Sequence, residues 1–293
     1  MTSTQPPSLV EATWLLQRGV CGINHFMMHH TPSFTQRKNS MSRARWLWPA
    51  YLGTLAMLAV VIIHGAASSG YSWNWTKIPG YIVNPETWEP GPLLEGLWMT
   101  LKITGASFAV TALVGIAAAL GTLFGGPVIR ILARLYLEVI RNTPLMVQIF
   151  IVYFVLGPVL NMDRFWAAVL ALSLFEGAYL SEIIRSGILA IPLAQWQSSW
   201  TLGLSTTQTL RYVILPQTIP MLMPSLVNLF VSLIKDSALV STIAIYDLTM
   251  QAQILVSRTF SSLEIWLVVA FMYGSLALLL SRLGTCLERK IPR

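Results

Sequence analysis

Charged residues are scarce in this chain: they make up 11% of its 293 residues, whereas hydrophobic residues make up 55%. Soluble domains carry roughly a quarter charged residues, so the composition excludes an ordinary soluble protein. Several apolar runs reach the length of about 18 residues that can cross a bilayer as a helix, and none alternates as a barrel strand does. The sequence therefore predicts an all-α polytopic membrane protein.

Cysteine is also nearly absent. Only Cys21 and Cys286 occur, and their spacing fits neither a zinc site nor a disulfide framework. Cys21 with His25, His29 and His30 offers metal-ligating side chains, but a polar tail is the commoner use of such a stretch, so we expect no metal site. The net charge of +7 does not indicate nucleic-acid binding, because basic residues of membrane proteins gather on cytoplasmic loops.

Catalytic motifs are missing too. The chain has no G-x-x-x-x-G-K-[ST] phosphate loop, and we find no nucleophile–base set or paired carboxylates in a soluble domain. We therefore expect no catalytic residue and no cofactor bound by this chain. If transport is driven by ATP, another polypeptide must hydrolyse it.

Six apolar segments predict six transmembrane helices. The predicted spans are 47–66, 94–124, 145–160, 166–188, 219–233 and 263–283. Lys and Arg concentrate before the first span, between the second and third, in the long loop after the fourth, and in the tail. The positive-inside rule then places both termini in the cytoplasm.

These spans divide the chain into five parts. Along the sequence we predict a disordered cytoplasmic arm at 1–45, an additional N-terminal transmembrane helix at 46–67, an outer loop at 68–93, a transmembrane core at 94–285 with a cytoplasmic loop at 191–217, and a basic cytoplasmic tail at 286–293. Trp73, Trp75, Trp88 and Trp98 lie in or beside the outer loop, as an interfacial aromatic belt would, or else fold that loop on itself.

The loop at 191–217 carries the pattern of a short docking helix. Pro192 suits a first helical turn, because its missing N–H would have no partner there. Trp196 and Trp200 are four residues apart and share one helix face, which makes them an anchor pair for a groove on a partner. Gly203 can end the helix in a left-handed conformation, and Pro216 begins the return into the membrane. The alternative is an interfacial helix that lies on lipid.

The segment from Gly177 to Ile188, continuing to Leu215-Pro216-Gln217, resembles the permease subunits of ABC importers for polar amino acids. In that family the loop, called the EAA loop, reads Glu-Ala-Ala, three residues, Gly, then nine residues to Ile-x-Leu-Pro. Gly203, Leu215 and Pro216 match this spacing, but Gln197-Ser198-Ser199 stands where the family has Glu-Ala-Ala. Two further segments, 136–148 and 235–240, resemble the family in the same order.

The resemblance covers roughly residues 91–283 and implies an ABC importer (type I) permease-like fold. It also implies the partners: a cytoplasmic ABC ATPase dimer that uses ATP and magnesium, a second permease subunit (identical or homologous) and an extracytoplasmic solute-binding protein. The location implied is the bacterial inner membrane. The docking residues carried over are Gln195, Trp196, Gln197, Ser198, Ser199, Trp200, Gly203, Leu215 and Pro216.

Polar residues inside the predicted spans indicate a substrate path. Glu176 lies within the fourth span, where a charge costs about 2.5–3.5 kcal/mol on insertion scales, so it should face the bundle interior or a water-filled cavity. It contacts the substrate ammonium group, acts as a gate residue, or is a structural carboxyl that is protonated or bonded to a neighbouring helix. Tyr179, Asn228 and Ser232 could line the same cavity, although helix packing is the commoner use of such residues.

Two expectations complete the sequence-based interpretation. Lys235 and Asp236 are expected to form a local ion pair at the outer interface, and Glu138 is expected to pair with Arg141 on the cytoplasmic side. The competing function is an ion-coupled secondary carrier that works without an ATPase. Such a carrier would show more intramembrane carboxylates or an inverted repeat in its hydropathy.

Overall fold

The computed structural model describes residues 49, 51–54, 56–58, 60–61, 64–65, 73–84 and 88–290. The predicted arm at 1–45 lies outside these residues. Within the predicted first span, the described residues of 49–65 are helical, and those side chains are exposed. Residues 73–290 form a second unit that contains the remaining five predicted spans.

Helices make up almost all of this second unit. In chain order they are α1 (Ile78–Ile82), α2 (Pro92–Phe124), α3 (Pro127–Arg141), α4 (Leu145–Phe150), α5 (Gly157–Leu160), α6 (Arg164–Leu189), α7 (Leu193–Thr201), α8 (Thr206–Thr209), α9 (Leu215–Asp236), α10 (Leu248–Thr259) and α11 (Ser262–Lys290). π-helical turns join α4 to α5 and α8 to α9, and 3-10 turns precede α1 and follow α9. The last helix continues through residue 290, into the predicted tail.

Four stretches among the described residues are long and apolar enough to cross a membrane: Pro92–Phe124, Arg164–Leu189, Thr206–Ile243 and Ser262–Cys286. A fifth is possible if α3 and the α4–α5 stretch form one bent span. The span predicted at 219–233 is only the middle of a 38-residue helical stretch, so the second half of the predicted loop belongs to that span.

The connection between α3 and α4 is a sharp bend rather than a loop. The two helical segments on either side meet at 109°. Pro144 lacks an N–H and stands directly before α4, which prevents the helix from continuing unbroken. The buried side chain of Gln148 donates hydrogen bonds to the carbonyl oxygens of Ile140 (2.7 Å) and Thr143 (3.0 Å). The Gln148 side chain therefore supplies hydrogen bonds to carbonyl groups that backbone N–H groups would bond in an unbroken helix.

The helix α6 is the most buried of the long helices and organises the core. Asp163 caps its N-terminus by accepting a hydrogen bond from the Trp166 N–H at 2.9 Å. Ser173 in α6 donates to the Ser107 carbonyl of α2, and Tyr136 in α3 donates to the Leu174 carbonyl at 2.6 Å. Hydrogen bonds between helices thus tie α2 and α3 to the same part of α6, where lipid cannot supply partners.

Close packing of α2 against the start of α10 permits a first prediction. A Cβ atom at Gly96 would lie 2.8 Å from the Leu248 Cα atom and 2.9 Å from the Asp247 carbonyl oxygen. Both are backbone atoms and cannot rotate away, so we expect Gly96→Val to destabilise the fold by about 1–3 kcal/mol. The measurement is the midpoint of unfolding in detergent. Gly105→Val is the control, since a Cβ at Gly105 on the same helix meets nothing within 4 Å. Equal midpoints for the two variants would contradict this packing.

Candidate functional site

The helix α7 is short, lies in the connection between α6 and α8, and begins directly after Pro192. Its residues Gln195, Gln197 and Ser198 are exposed, whereas Ser199 is 2% exposed and donates to the Gln195 carbonyl at 2.7 Å. The exposed residues are the docking residues that the sequence proposes, but the side chain of Ser199 supports the helix from its inner side.

The two tryptophans of α7 have different surroundings. Their ring centroids lie 6.1 Å apart. Trp196 is half-buried and packs against an apolar cluster formed by Ile188, Ile191 and Ile214. Trp200 is 37% exposed. Trp196 therefore fixes α7 to the ends of the neighbouring long helices, and Trp200 is the aromatic side chain that a partner can reach.

The turn after α7 is specified by two capping motifs. Gly203 has φ +80°, the left-handed conformation that its position requires. Its N–H bonds to the Trp200 carbonyl (2.9 Å), and the Leu204 N–H bonds to the Ser199 carbonyl (3.1 Å), as in a Schellman motif. Ser205 and Gln208 then form a capping box that starts α8. These backbone bonds define the angle between α7 and the following span.

The helix α9, which follows α7 and α8 along the chain, lacks several backbone hydrogen bonds in its first half. Pro216, Pro220 and Pro224 occur at four-residue intervals in α9, and each removes a backbone donor from the helix. The turn before them is π-helical, from Leu210 to Ile214. The Gln217 side chain compensates in part by donating to the Val213 carbonyl at 2.8 Å. The route along the backbone from α7 to the middle of the membrane thus passes through a helix that can bend.

Beyond these prolines lies a cavity between α6 and α9, with a volume of about 510 Å³. Its lining contains Glu176, Tyr179, Asn228 and Ser232, so the structure brings together all four residues proposed for the substrate path. The other lining residues are Phe175, Ile183, Ser225, Leu229 and Asp236. Tyr179, Asn228 and Ser232 are exposed on this isolated subunit, so the cavity is open at its side.

Asp236 is the cavity residue that sequence reasoning missed. It was expected to pair with Lys235 at the outer interface, and that prediction is wrong, because its side chain lines the cavity together with Glu176 and no salt bridge to Lys235 forms among the described residues. Asp236 is the last residue of α9, eight residues beyond Asn228 and four beyond Ser232. That helical spacing was the signal that would have placed it on the cavity face.

An ion cluster lies next to the cavity, further along α6 towards α7. The Glu182 carboxylate accepts a hydrogen bond from the Arg185 Nε at 3.0 Å, and Arg141 approaches it at 4.0 Å. The Arg141 guanidinium also lies 5.9 Å from the ring centroid of Tyr179. Arg141 therefore joins the α3–α4 bend to α6, and the expected pairing with Glu138 is wrong.

No group of three or more His, Cys, Asp or Glu side chains that could hold a metal ion occurs among the residues that the structure describes. Cys21 and the three nearby histidines lie outside those residues. Cys286 is exposed and has a free thiol.

Comparison with known proteins identifies the family. The profile described as "Binding-protein-dependent transport system inner membrane component" matches residues 111–293. The chain belongs to this family. It is an ABC importer permease, a multi-pass inner-membrane transport subunit and not an enzyme, and ATP hydrolysis is the task of a separate ATPase.

Individual relatives agree with this family. The L-cystine transport system permease protein TcyB of Bacillus subtilis is 38% identical over 74% of this chain and 93% of its own length. The glutamine transport system permease protein GlnP of Escherichia coli is 38% identical over 70% of this chain and 95% of its own length. One chain in a crystal structure of an amino acid ABC transporter with histidines is 35% identical, with a TM-score of 0.67 over 75% of this chain and all of its own.

The relatives favour the permease interpretation over the ion-coupled carrier. They also confirm the predicted type of fold, although the number of six spans is not confirmed. ABC importer permeases work in complexes with ATPase and permease partners, so this subunit is a part of a larger transporter.

Proposed function

We propose that this permease forms the path by which a polar amino acid enters the cell, and that α7 couples it to a cytoplasmic ATPase dimer that binds ATP and magnesium. The observation that carries the proposal is the cavity of about 510 Å³ between α6 and α9, which contains carboxyl, amide and hydroxyl groups at the depth of the spans. Polar groups in such a position need a ligand, water or protein rather than lipid. The relatives from Bacillus subtilis and Escherichia coli agree, since they are named for the transport of L-cystine and of glutamine.

A second permease subunit, identical or homologous, covers the open side of the cavity. Tyr179, Asn228 and Ser232 are exposed on the isolated subunit, and lipid tails offer them no hydrogen bonds. The surface of a second permease subunit can supply those hydrogen bonds. Each subunit then supplies one wall of a shared route across the membrane.

Closure of the ATPase dimer would move the two α7 helices, one in each permease. Trp196 and the capped turn at Gly203 transmit that motion to α6 and to the proline-containing part of α9, which carry the cavity. The cavity then opens alternately to the outside, where a solute-binding protein delivers the amino acid, and to the cytoplasm. Both termini lie in the cytoplasm in this arrangement.

The test uses the complex that copurifies with this chain from its native membrane in mild detergent. The complex is reconstituted into liposomes with its solute-binding protein, and uptake of each amino acid is measured by mass spectrometry with and without ATP on the cytoplasmic side. We expect uptake of at least one amino acid that requires ATP. Uptake that is driven by an ion gradient and is indifferent to ATP would overturn the proposal.

A further inference from the structure

The helix α3 has two faces with different surroundings. Its inner face packs beside the last turns of α2, where a Cβ atom at Gly121 would lie 3.3 Å from the Ile129 Cγ2 atom. Tyr136 belongs to the same face, since its hydroxyl reaches the Leu174 carbonyl of α6. The opposite face bears five large apolar side chains that are more than half exposed: Val128, Ile131, Leu132, Leu135 and Val139. A continuous apolar face of this kind is unusual on a surface in contact with water.

The basic residues of α3 lie along one edge of that apolar face. Arg130, Arg134 and Arg141 are four and eleven residues apart, so the helical period places them in one row. Arg130 donates from Nη2 to the Gly125 carbonyl at 3.2 Å, and its Nε is buried without a hydrogen-bond partner. Arg134 is exposed and forms no hydrogen bond or ion pair with any residue that the structure describes. Two guanidinium groups on this edge therefore retain donors for a ligand.

The helix α3 lies at the end of the bundle that carries α7. Leu123, in the last turn of α2, packs against the same apolar cluster as Trp196 of α7. At the other end of α3, Arg141 approaches Glu182, seven residues before α6 ends. The bend of 109° turns the chain from the direction of α3 into that of the α4–α5 stretch, which packs in the core. The helix α3 thus runs across the bundle near one end of the long helices.

An apolar face edged by arginines fits the boundary between lipid tails and phosphate headgroups. Amphipathic helices of this composition lie in that boundary, with the apolar face towards the acyl chains and the basic edge among the headgroups. Guanidinium groups bind phosphate through paired hydrogen bonds. The sequence of α3 holds three arginines against one acidic residue, Glu138, so two copies of α3 that met face to face would bring like charges together. Charge therefore favours an anionic lipid surface over a second copy of this chain.

We propose that α3 lies in the membrane interface on the α7 side, and that Arg130 and Arg134 bind the phosphate groups of anionic phospholipids. The five exposed apolar side chains then contact the acyl chains beneath those headgroups. Lipid bound at this site supports α6 through Tyr136, whose hydroxyl bonds to the Leu174 carbonyl at 2.6 Å. The inference goes beyond the proposed function, because it holds whichever amino acid is carried.

Spin labels on the apolar face test the position of α3. Cys21→Ser with Cys286→Ser removes both cysteines of the chain, and Val128→Cys or Val139→Cys then places one label near either end of the face. The complex of permease and ATPase is reconstituted into liposomes that contain phosphatidylglycerol, and the spectrum of the cysteine-free chain in the same complex is subtracted. Collisions with oxygen and with a water-soluble nickel chelate give the depth of each label. We expect oxygen to reach both labels, at depths that differ by less than about 8 Å although about 16 Å of helix separates the two positions.

Lipid binding tests the role of the two arginines. The same complex, stripped of lipid in detergent, is titrated with phosphatidylglycerol or phosphatidylcholine, and bound lipids are counted by native mass spectrometry. We expect the variant with Arg130→Gln and Arg134→Gln to bind phosphatidylglycerol about 10- to 30-fold more weakly, with no change for phosphatidylcholine. The control variant carries Lys77→Gln and Arg258→Gln, which remove the same charge from exposed residues outside α3, and should keep the wild-type affinity.

Four results would overturn the proposal. Labels that neither reagent reaches would show that protein, such as a second permease, covers the face, and labels that only the nickel chelate reaches would place the face in water. Depths about 16 Å apart would make α3 part of a span. Equal affinity of the arginine variant and the wild type for phosphatidylglycerol would show that Arg130 and Arg134 bind no lipid phosphate. Copurification of the ATPase with each variant verifies that the compared complexes are assembled.

Discussion

Replacing Trp200 and Leu202 with alanine is expected to separate the ATPase from this permease. Both side chains are exposed, at 37% and 81%, and lie at the C-terminal end of α7. Each aromatic or large apolar anchor of an interface can contribute about 2 kcal/mol or more, which corresponds to roughly 30-fold in affinity. The measurement is the amount of ATPase that copurifies with the tagged permease, and we expect it to fall at least about 10-fold.

The control for this variant is the pair Phe260→Ala and Phe271→Ala. Both residues are exposed aromatics, at 83% and 76%, and lie outside the loop at 191–217. Trp196→Ala is not a suitable variant for the purpose, since Trp196 packs against the cluster of Ile188, Ile191 and Ile214 and its loss would loosen α7 itself. If the variant with Trp200→Ala and Leu202→Ala retains as much ATPase as the control variant does, α7 is not the docking element.

Blocking the cavity is expected to have the second large effect. Ser232 lines it and is exposed towards its open side, so a tryptophan at this position would occupy space that the substrate needs. We expect Ser232→Trp to reduce ATP-dependent uptake in proteoliposomes to the background level while the ATPase still copurifies, because Ser232 lies near the end of α9 and outside the proposed docking residues.

Ser275→Trp is the matched control, since Ser275 is an exposed serine in the apolar part of α11. Its hydroxyl donates a hydrogen bond to the Met272 carbonyl of the same helix at 3.0 Å. Uptake should persist in this variant. Unchanged uptake in Ser232→Trp would mean that the substrate crosses elsewhere.

Much of the architecture follows from the sequence because the bilayer leaves few choices. Apolar length alone located the helices Pro92–Phe124, Arg164–Leu189 and Ser262–Lys290, and Gly203 signalled the end of α7 through its special backbone conformation. The grouping of Glu176 with Asn228 followed from the same reasoning, since polar groups inside a membrane seek one another or water.

Other features depend on contacts that the hydropathy pattern does not show, or on local sequence patterns that fit more than one structure. The α3–α4 bend relies on Gln148 reaching two carbonyl groups, which hydropathy does not report. The capping box of Ser205 and Gln208 follows a Ser-x-x-Gln pattern that the sequence does show. Asp236 was misplaced because it follows Lys235, and adjacent opposite charges suggest a local pair although neighbours on a helix point in different directions.

The interaction of α7 with an ATPase is tested most directly by photo-crosslinking from Gln197. This residue is exposed on α7, and a photoreactive amino acid placed there labels whatever covers the helix in the native membrane. Phe260, which is exposed and lies between α10 and α11, serves as the comparison site. We expect an adduct from position 197 that contains a protein with an ATP-binding phosphate loop, and none from position 260. Labelling of lipid alone at position 197, with no ATPase adduct, would contradict coupling through α7.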